Sequence, residues 1–163
     1  MANPVGAVPV NTTILVDDRE PPRIAQQLDS FGLTVGTAHL DSADYVTYPH
    51  GLSAGIERKT NSNLLGSMST KQLVSQAHKL VESYDISIIL REGAFRCNAG
   101  QKLEYHDPRH PESDATGWVH TGWAWSSFSG IMFDLQLMGI VIWDFPVLGE
   151  AARDIATIIH SLH

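Results

Sequence analysis

Residues 53–90, SAGIERKTNSNLLGSMSTKQLVSQAHKLVESYDISIIL, decide the fold. Ser53–Lys59 reads as a strand entered through the turn residues Pro49-His50-Gly51. Asn61–Tyr84 then carries Leu64, Leu65, Met68, Leu73, Val74, Ala77, Leu80 and Val81 three to four residues apart, the spacing of one apolar helix face, with a break expected near Gly66–Ser69. Ile86-Ser87-Ile88-Ile89-Leu90 is a short apolar run without charge, which suits a strand in the middle of a sheet.

The same alternation extends outward. Thr13-Ile14-Leu15-Val16 is a β-branched run that delivers Asp17 and Asp18 at its carboxyl end. Pro21-Pro22 opens a helix with Ile24, Ala25, Leu28 and Phe31 on one face, closed by Gly32. Leu33–Leu40 and Tyr45–Tyr48 read as strands on either side of a turn at Asp41-Ser42. Downstream, residues 93–117 are rich in Gly, Asn, Asp, Pro and His and carry no period; a loop that long in a compact domain is usually functional or mobile. Trp123–Met138 resumes a helical pattern, Ile140–Trp143 is a strand, and Gly149–Leu162 is a final amphipathic helix. The result is an α/β domain with a mixed sheet and helices on both faces. Residues 1–12, with two prolines and no period, read as a flexible lead-in, and residues 13–163 as a single domain.

Composition agrees and excludes several classes. The chain has 163 residues, 43% hydrophobic and 18% charged, a globular composition and not a disordered one. No run approaches a membrane span, and no basic segment precedes an apolar block at the start, so neither a membrane protein nor a secretory signal is expected. A lone Cys97 suits a reducing compartment, and the expected location is intracellular, in cytoplasm or nucleus. A net charge of −7 argues against a protein that coats nucleic acid broadly. The charge is uneven: residues 58–109 carry an excess of three positive charges, directly after an acid-rich segment carrying −5. A metal site beside a phosphate-binding surface reads this way.

The chemistry centres on Asp44 and on Glu57-Arg58-Lys59. Side chains alternate along a strand, so Glu57 and Lys59 share a face and Arg58 takes the other. If Asp44 opens the neighbouring strand, its carboxylate meets Glu57 across the sheet. Two carboxylates and an ammonium on one face suit a hard divalent cation, Mg²⁺ or Mn²⁺, working on a phosphodiester. Val16-Asp17-Asp18-Arg19-Glu20 adds two carboxylates, Asp17 and Glu20, for the same metal.

With these motifs in place, the chain resembles the nuclease domain of the XPF family of structure-specific endonucleases. The family carries V-D-x-R-E, then G-D-Y, then E-R-K-x-x-x-D; this chain reads V-D-D-R-E at 16–20, A-D-Y-V at 43–46 and E-R-K-T-N-S-N at 57–63. The resemblance runs over roughly residues 13–162. It implies a restriction-endonuclease-like mixed sheet flanked by helices. It also implies Asp17, Glu20, Asp44 and Glu57 as the acidic metal cluster, Lys59 as the catalytic lysine and Arg58 as an orienting residue on the opposite face. Two positions depart from the pattern: Ala43 replaces the family glycine, and Asn63 replaces the last aspartate, keeping shape and losing a charge. The expected reaction is metal-dependent hydrolysis of DNA at a flap, fork or four-way junction. The alternatives are a Holliday-junction resolvase and a non-catalytic scaffold that binds branched DNA or a partner subunit. Many family members add a helix-hairpin-helix module; without one here, the expectation is a standalone domain of a size that suits a virus-encoded protein, acting as a homodimer or with a partner subunit through its C-terminal helices.

Arg19, Lys71, Lys79, Arg91, Arg96, Lys102 and Arg109 are candidate phosphate contacts. Phe95 and Tyr105 are candidates for stacking on an unpaired base, although core or loop packing is the better reading of both. Trp118, Trp123, Trp125 and Phe128 read as core or subunit-interface residues. His106-Asp107-Pro108-Arg109-His110 lacks the spacing of zinc ligands and reads as loop surface.

Overall fold

The computed structural model describes residues 13–147 and 149–163; the expected lead-in, residues 1–12, lies outside the described residues. β1 (Thr13–Asp17) leads into α1 (Pro22–Ser30), where proline occupies the first turn and its missing N–H costs nothing. Gly32, at φ 83°, turns the chain into β2 (Thr34–Ala38). β3 (Tyr45–Thr47) and β4 (Ala54–Thr60) follow, joined through a short 3₁₀ turn at Pro49–Gly51. Thr60 caps α2 (Asn61–Ser69), its side chain accepting the Asn63 N–H. α3 (Gln72–Ser83), β5 (Ile86–Glu92), α4 (Trp125–Leu137), β9 (Ile140–Phe145) and α5 (Ala151–Leu162) complete the main layers. No helix among the described residues is long and apolar enough to cross a membrane.

Six strands form one sheet in the order β2-β1-β3-β4-β5-β9. β3 is antiparallel to both neighbours, and the remaining pairs are parallel. This brings the amino end of β3 to the same edge as the carboxyl ends of β1, β4 and β5. Alternation splits the core in two. Ile14, Tyr45, Ile56, Ile88 and Leu90 pack under α1 and α5 with Leu28 and Ile155. Val46 and Ile89 face the other way, against Leu64, Leu73 and Phe128 of α2, α3 and α4.

The structure refines the sequence reading in three places. The helix over 61–84 is broken at Thr70–Lys71 and not at Gly66–Ser69: Lys71 adopts the left-handed conformation, φ 59°, while Gly66 stays inside α2. Residues 93–117 hold two strands, β6 (Phe95–Cys97) and β7 (Lys102–His106), which join β8 (Trp118–Ala124) in a separate antiparallel sheet. Their polarity hid them, because β7 buries Glu104 as well as Leu103 and Tyr105. Glu104 is satisfied there by Arg96 Nε at 2.6 Å, Asn98 Nδ2 at 2.9 Å and the His120 ring. Finally, α4 begins at Trp125 and not at Trp123, because Ala124 still pairs with Lys102 in the small sheet.

Gly55 lies on the face of β4 that carries Glu57, and a Cβ there would sit 2.2 Å from Tyr84 Cδ2 and 2.6 Å from Cγ. Gly55→Ala is therefore expected to lower stability by roughly 1–3 kcal/mol through overpacking. Urea unfolding measures it, and adding Tyr84→Ala should recover part of the loss.

Candidate active site

Asp44 stands one residue before β3, held by its N–H to Ile56 O at 3.0 Å and by its carbonyl, which accepts from Asp17 N–H at 2.9 Å. Tyr45 pairs with Ile56, so the same register sets Asp44 opposite Glu57. Asp44 Oδ2 accepts the Arg58 N–H at 2.7 Å. Lys59, buried at 7% exposure, donates from Nζ to Glu57 Oε1 at 2.6 Å. Asp44, Glu57, Arg19, Asp41, Gln76 and Lys79 line a cavity of about 190 Å³. Burial first, and the Glu57 charge second, push the Asp44 carboxyl up to about 7; the Arg58 N–H pulls the other way and the Glu20 charge adds to the rise.

The other candidate residues are disposed differently. Asp17 is buried, and its carboxylate accepts from Arg19 Nε at 2.6 Å, Arg19 Nη2 at 2.9 Å, Arg19 N–H at 2.9 Å and Leu40 N–H at 2.7 Å. The Arg19 hydrogen bonds hold its carboxyl well below the usual carboxylate range. Asp17, Asp18 and His39 offer ligand atoms within 4.8 Å of one another at the ends of β1 and β2, but the Asp17 oxygens there are already engaged. Glu20 accepts from Tyr45 Oη and lies 3.9 Å from Arg58 Nη1, on the α1/α5 face. Arg58 reaches across that face to Glu92 with two contacts of 3.1 Å. Asn63 is exposed in the first turn of α2.

The candidate phosphate contacts scatter. Arg19 and Lys79 reach the cavity of the acid pair. Lys71 and Lys79 border an apolar groove with Met68, Leu73, Val74 and Ile131. Arg91 pairs with Asp144 at 2.5 Å, Arg96 lies over the Trp118 ring at 4.0 Å, and Lys102 Nζ reaches Gly122 O at 3.4 Å. Arg109 lines a different cavity behind β4. Phe95 and Trp125 both pack on Phe128, so packing accounts for them.

Two residues escaped the sequence reading. Gln76 lines the acid cavity, and its Oε1 is buried without a hydrogen-bond partner among the described residues. It follows Leu73 by three residues, so a polar residue interrupting the apolar stripe was the available signal. Glu92, fully buried, follows Ile88 and Leu90 at period two; a charge at a core-facing position was the signal there.

The ERCC4 domain family model matches residues 16–157. The chain belongs to the ERCC4 domain family. No curated protein matches this ERCC4 domain. Among solved structures, XPF from Aeropyrum pernix aligns with it at a TM-score of 0.62 and 24% identity, over 92% of this chain and 62% of that one. XPF from Aeropyrum pernix in complex with DNA aligns at 0.64 and 26% identity, over 93% and 62%. The chain thus spans less than two thirds of the XPF chains it matches. The mixed sheet flanked by helices that the sequence predicted is the XPF nuclease fold.

The Asp44 value, about 7 in the folded chain, lies above its ordinary one, so the folded state holds that proton more tightly than the unfolded state. Its stabilising contribution is complete below about pH 4 and lost as the pH rises through 7. In metal-free buffer, Asp44→Asn should therefore gain on the parent chain with rising pH, by roughly 4 kcal/mol at pH 8, and should match it near pH 4. Thermal unfolding across that range measures this; a gain independent of pH would contradict it.

Proposed function

We propose that this ERCC4 domain is a divalent-cation-dependent DNA endonuclease that cuts branched DNA at a flap, fork or four-way junction. One observation carries the reading: Asp44 and Glu57 face each other at the sheet edge, with Lys59 bound to Glu57 and the unpartnered Gln76 Oε1 in reach of the same cavity. Two carboxylates and an amide oxygen make a hard, all-oxygen donor set that fits Mg²⁺ or Mn²⁺. The raised Asp44 carboxyl is a further sign of fit: burial raises it first and the Glu57 charge second, and a cation beside it would offset both.

In this reading Asp44 and Glu57 hold the cation, and Gln76 supplies a third oxygen. When bound, the cation polarises the phosphodiester and makes water a better nucleophile. Lys59 holds Glu57 in place and presents its ammonium to charge developing on the phosphate. Asp17 fixes Arg19, whose side chain stays 62% exposed at the cavity rim, and Lys79 adds a second cation there for the incoming strand. Arg58 braces the back of β4 through Glu92. The resemblance to XPF in complex with DNA supports DNA as the substrate. Exposed Phe133 and Leu137 on α4 support a second copy or a partner subunit docking on the C-terminal helices.

Labelled flap, fork, four-way-junction and linear duplexes, each with Mg²⁺ or Mn²⁺, test the proposal. Branched DNA should be cut, and Glu57→Ala or Lys59→Ala should each slow cutting at least about a hundredfold. The substrate ranking separates a flap enzyme from a junction resolvase. Binding without cutting in either metal would leave the non-catalytic scaffold. Gln76→Ala should weaken Mn²⁺ binding about tenfold by calorimetry, worth ~1.4 kcal/mol, with the fold unchanged.

A further inference from the structure

Behind β4, on the face opposite Glu57, lies a second cavity of about 330 Å³ whose lining includes Arg23, Arg58, Thr60, Glu92 and Arg109. The chain has seven arginines. Arg19, Arg58, Arg91, Arg96 and Arg153 each sit in an ion pair with a carboxylate. The two with no carboxylate partner among the described residues, Arg23 and Arg109, come from distant parts of the chain and line this same cavity. Three guanidinium groups there face one lining carboxylate, Glu92, which Arg58 already engages.

The backbone adds to the positive character. The first turns of α1, at Pro21–Ile24, and of α5, at Gly149 and Ala151, also line the cavity. Neither helix has a side-chain cap at its amino end; α1 has no acid in its first turn, whereas α5 carries the buried Asp154 there, so the positive character comes from α1 and the arginines. At α1 only the Arg23 N–H is left to offer, because Pro21 and Pro22 have none and Ile24 donates to Pro21 O at 2.9 Å, so the helix end adds partial positive charge more than donors. Position matters as much as charge. Arg58 follows Glu57 directly, and Thr60 follows Lys59, so this cavity and the acid pair occupy two sides of one sheet edge. With a net charge of −7 and an acid pair at the reaction site, a nucleic-acid strand needs positive anchors close by.

We propose that the Arg23–Arg58–Arg109 cavity binds a phosphate group of the strand that lies across the sheet edge. This rests on the endonuclease reading for the identity of the strand. The phosphate is either an internal diester or a terminal monoester, and the test distinguishes them.

The test compares the parent chain with the Arg23→Ala/Arg109→Ala double variant. Fluorescence anisotropy without divalent metal measures binding of a labelled flap DNA, with and without a 5′-phosphate, over a salt series. The variant should lose at least about tenfold in affinity, and its slope of log affinity against log salt should shrink by about one, for the one phosphate no longer neutralised. Mn²⁺ affinity by calorimetry should stay unchanged, which separates this cavity from the acid pair. The Arg23→Lys/Arg109→Lys variant, which keeps the charges, should retain part of the affinity and slope. A benefit of the 5′-phosphate that disappears in the variant assigns a terminal monoester; equal losses on both DNAs assign an internal diester. Parent and variant binding DNA with the same affinity and slope would overturn the proposal. If the parent chain binds no DNA, the endonuclease reading fails, and thermal unfolding with inorganic phosphate alone decides the cavity: a rise in Tm for the parent only supports the site, and equal behaviour overturns it.

Discussion

Everything at the sheet edge depends on one enforced proximity, that of the Asp44 and Glu57 carboxylates. Backbone pairing between β3 and β4 imposes it, since the ladder that joins Tyr45 to Ile56 leaves the two acids no other relation. The cost appears in the Asp44 carboxyl, pushed up to about 7 by burial and by its neighbour. The fold tolerates that cost because Lys59 and the Arg58 N–H each offset one of the two acids. A pair held against its own repulsion is preorganised: the fold itself, and no further partner, keeps the two sets of carboxylate oxygens in place.

The surrounding charges are segregated so that they do not collapse onto this pair. Asp17 would deepen the repulsion if its carboxylate were free, but four hydrogen bonds from Arg19 and Leu40 occupy it. Glu20 is turned to Tyr45 on the α1/α5 face, and Arg58 bridges from there to Glu92. Successive residues of β4 thus work for different layers. Glu57 lines the cavity of the acid pair with Lys59 bound to it on the same face, while Arg58 between them locks the strand to β5 from behind. A buried charge is tolerable only where such partners satisfy it.

Much of this was legible in the residues, and the reasons for success and failure are physical. β1 and β5 declare themselves through apolar runs, which a strand buried on both faces needs, and β4 through the turn residues ahead of it; its E-R-K alternation follows from the two-residue period of a strand. β6 and β7 do not, because their stability rests on a network at Glu104 whose partners, Arg96, Asn98 and His120, come from all three regions of the small sheet. Asp17 and Glu20 read correctly as acids at a strand end, yet what their oxygens bind depends on rotamers of Arg19 and Tyr45 that no spacing specifies. Glu92 needs Arg58 from another strand before its burial makes sense. Gln76 is visible only as an interruption in a helix stripe; its meaning comes from the acids across the cavity.

The order of strands in the main sheet also bears on how the chain assembles. β3 and β4 are joined by a short turn, so the hairpin that sets Asp44 against Glu57 closes a small loop and forms from local contacts. β9 reaches β5 only after the whole small sheet and α4 have been traversed, and α5 then packs on α1 at the far end of the sequence. Loop closure therefore favours a chain in which the acid pair is built early and the layer behind it is sealed by the last segment to dock. The same topology leaves the α1 layer dependent on α5, whose fully buried Ile155, Ile158 and Ile159 complete that core, so the face behind the acid pair stays open until the last segment has docked.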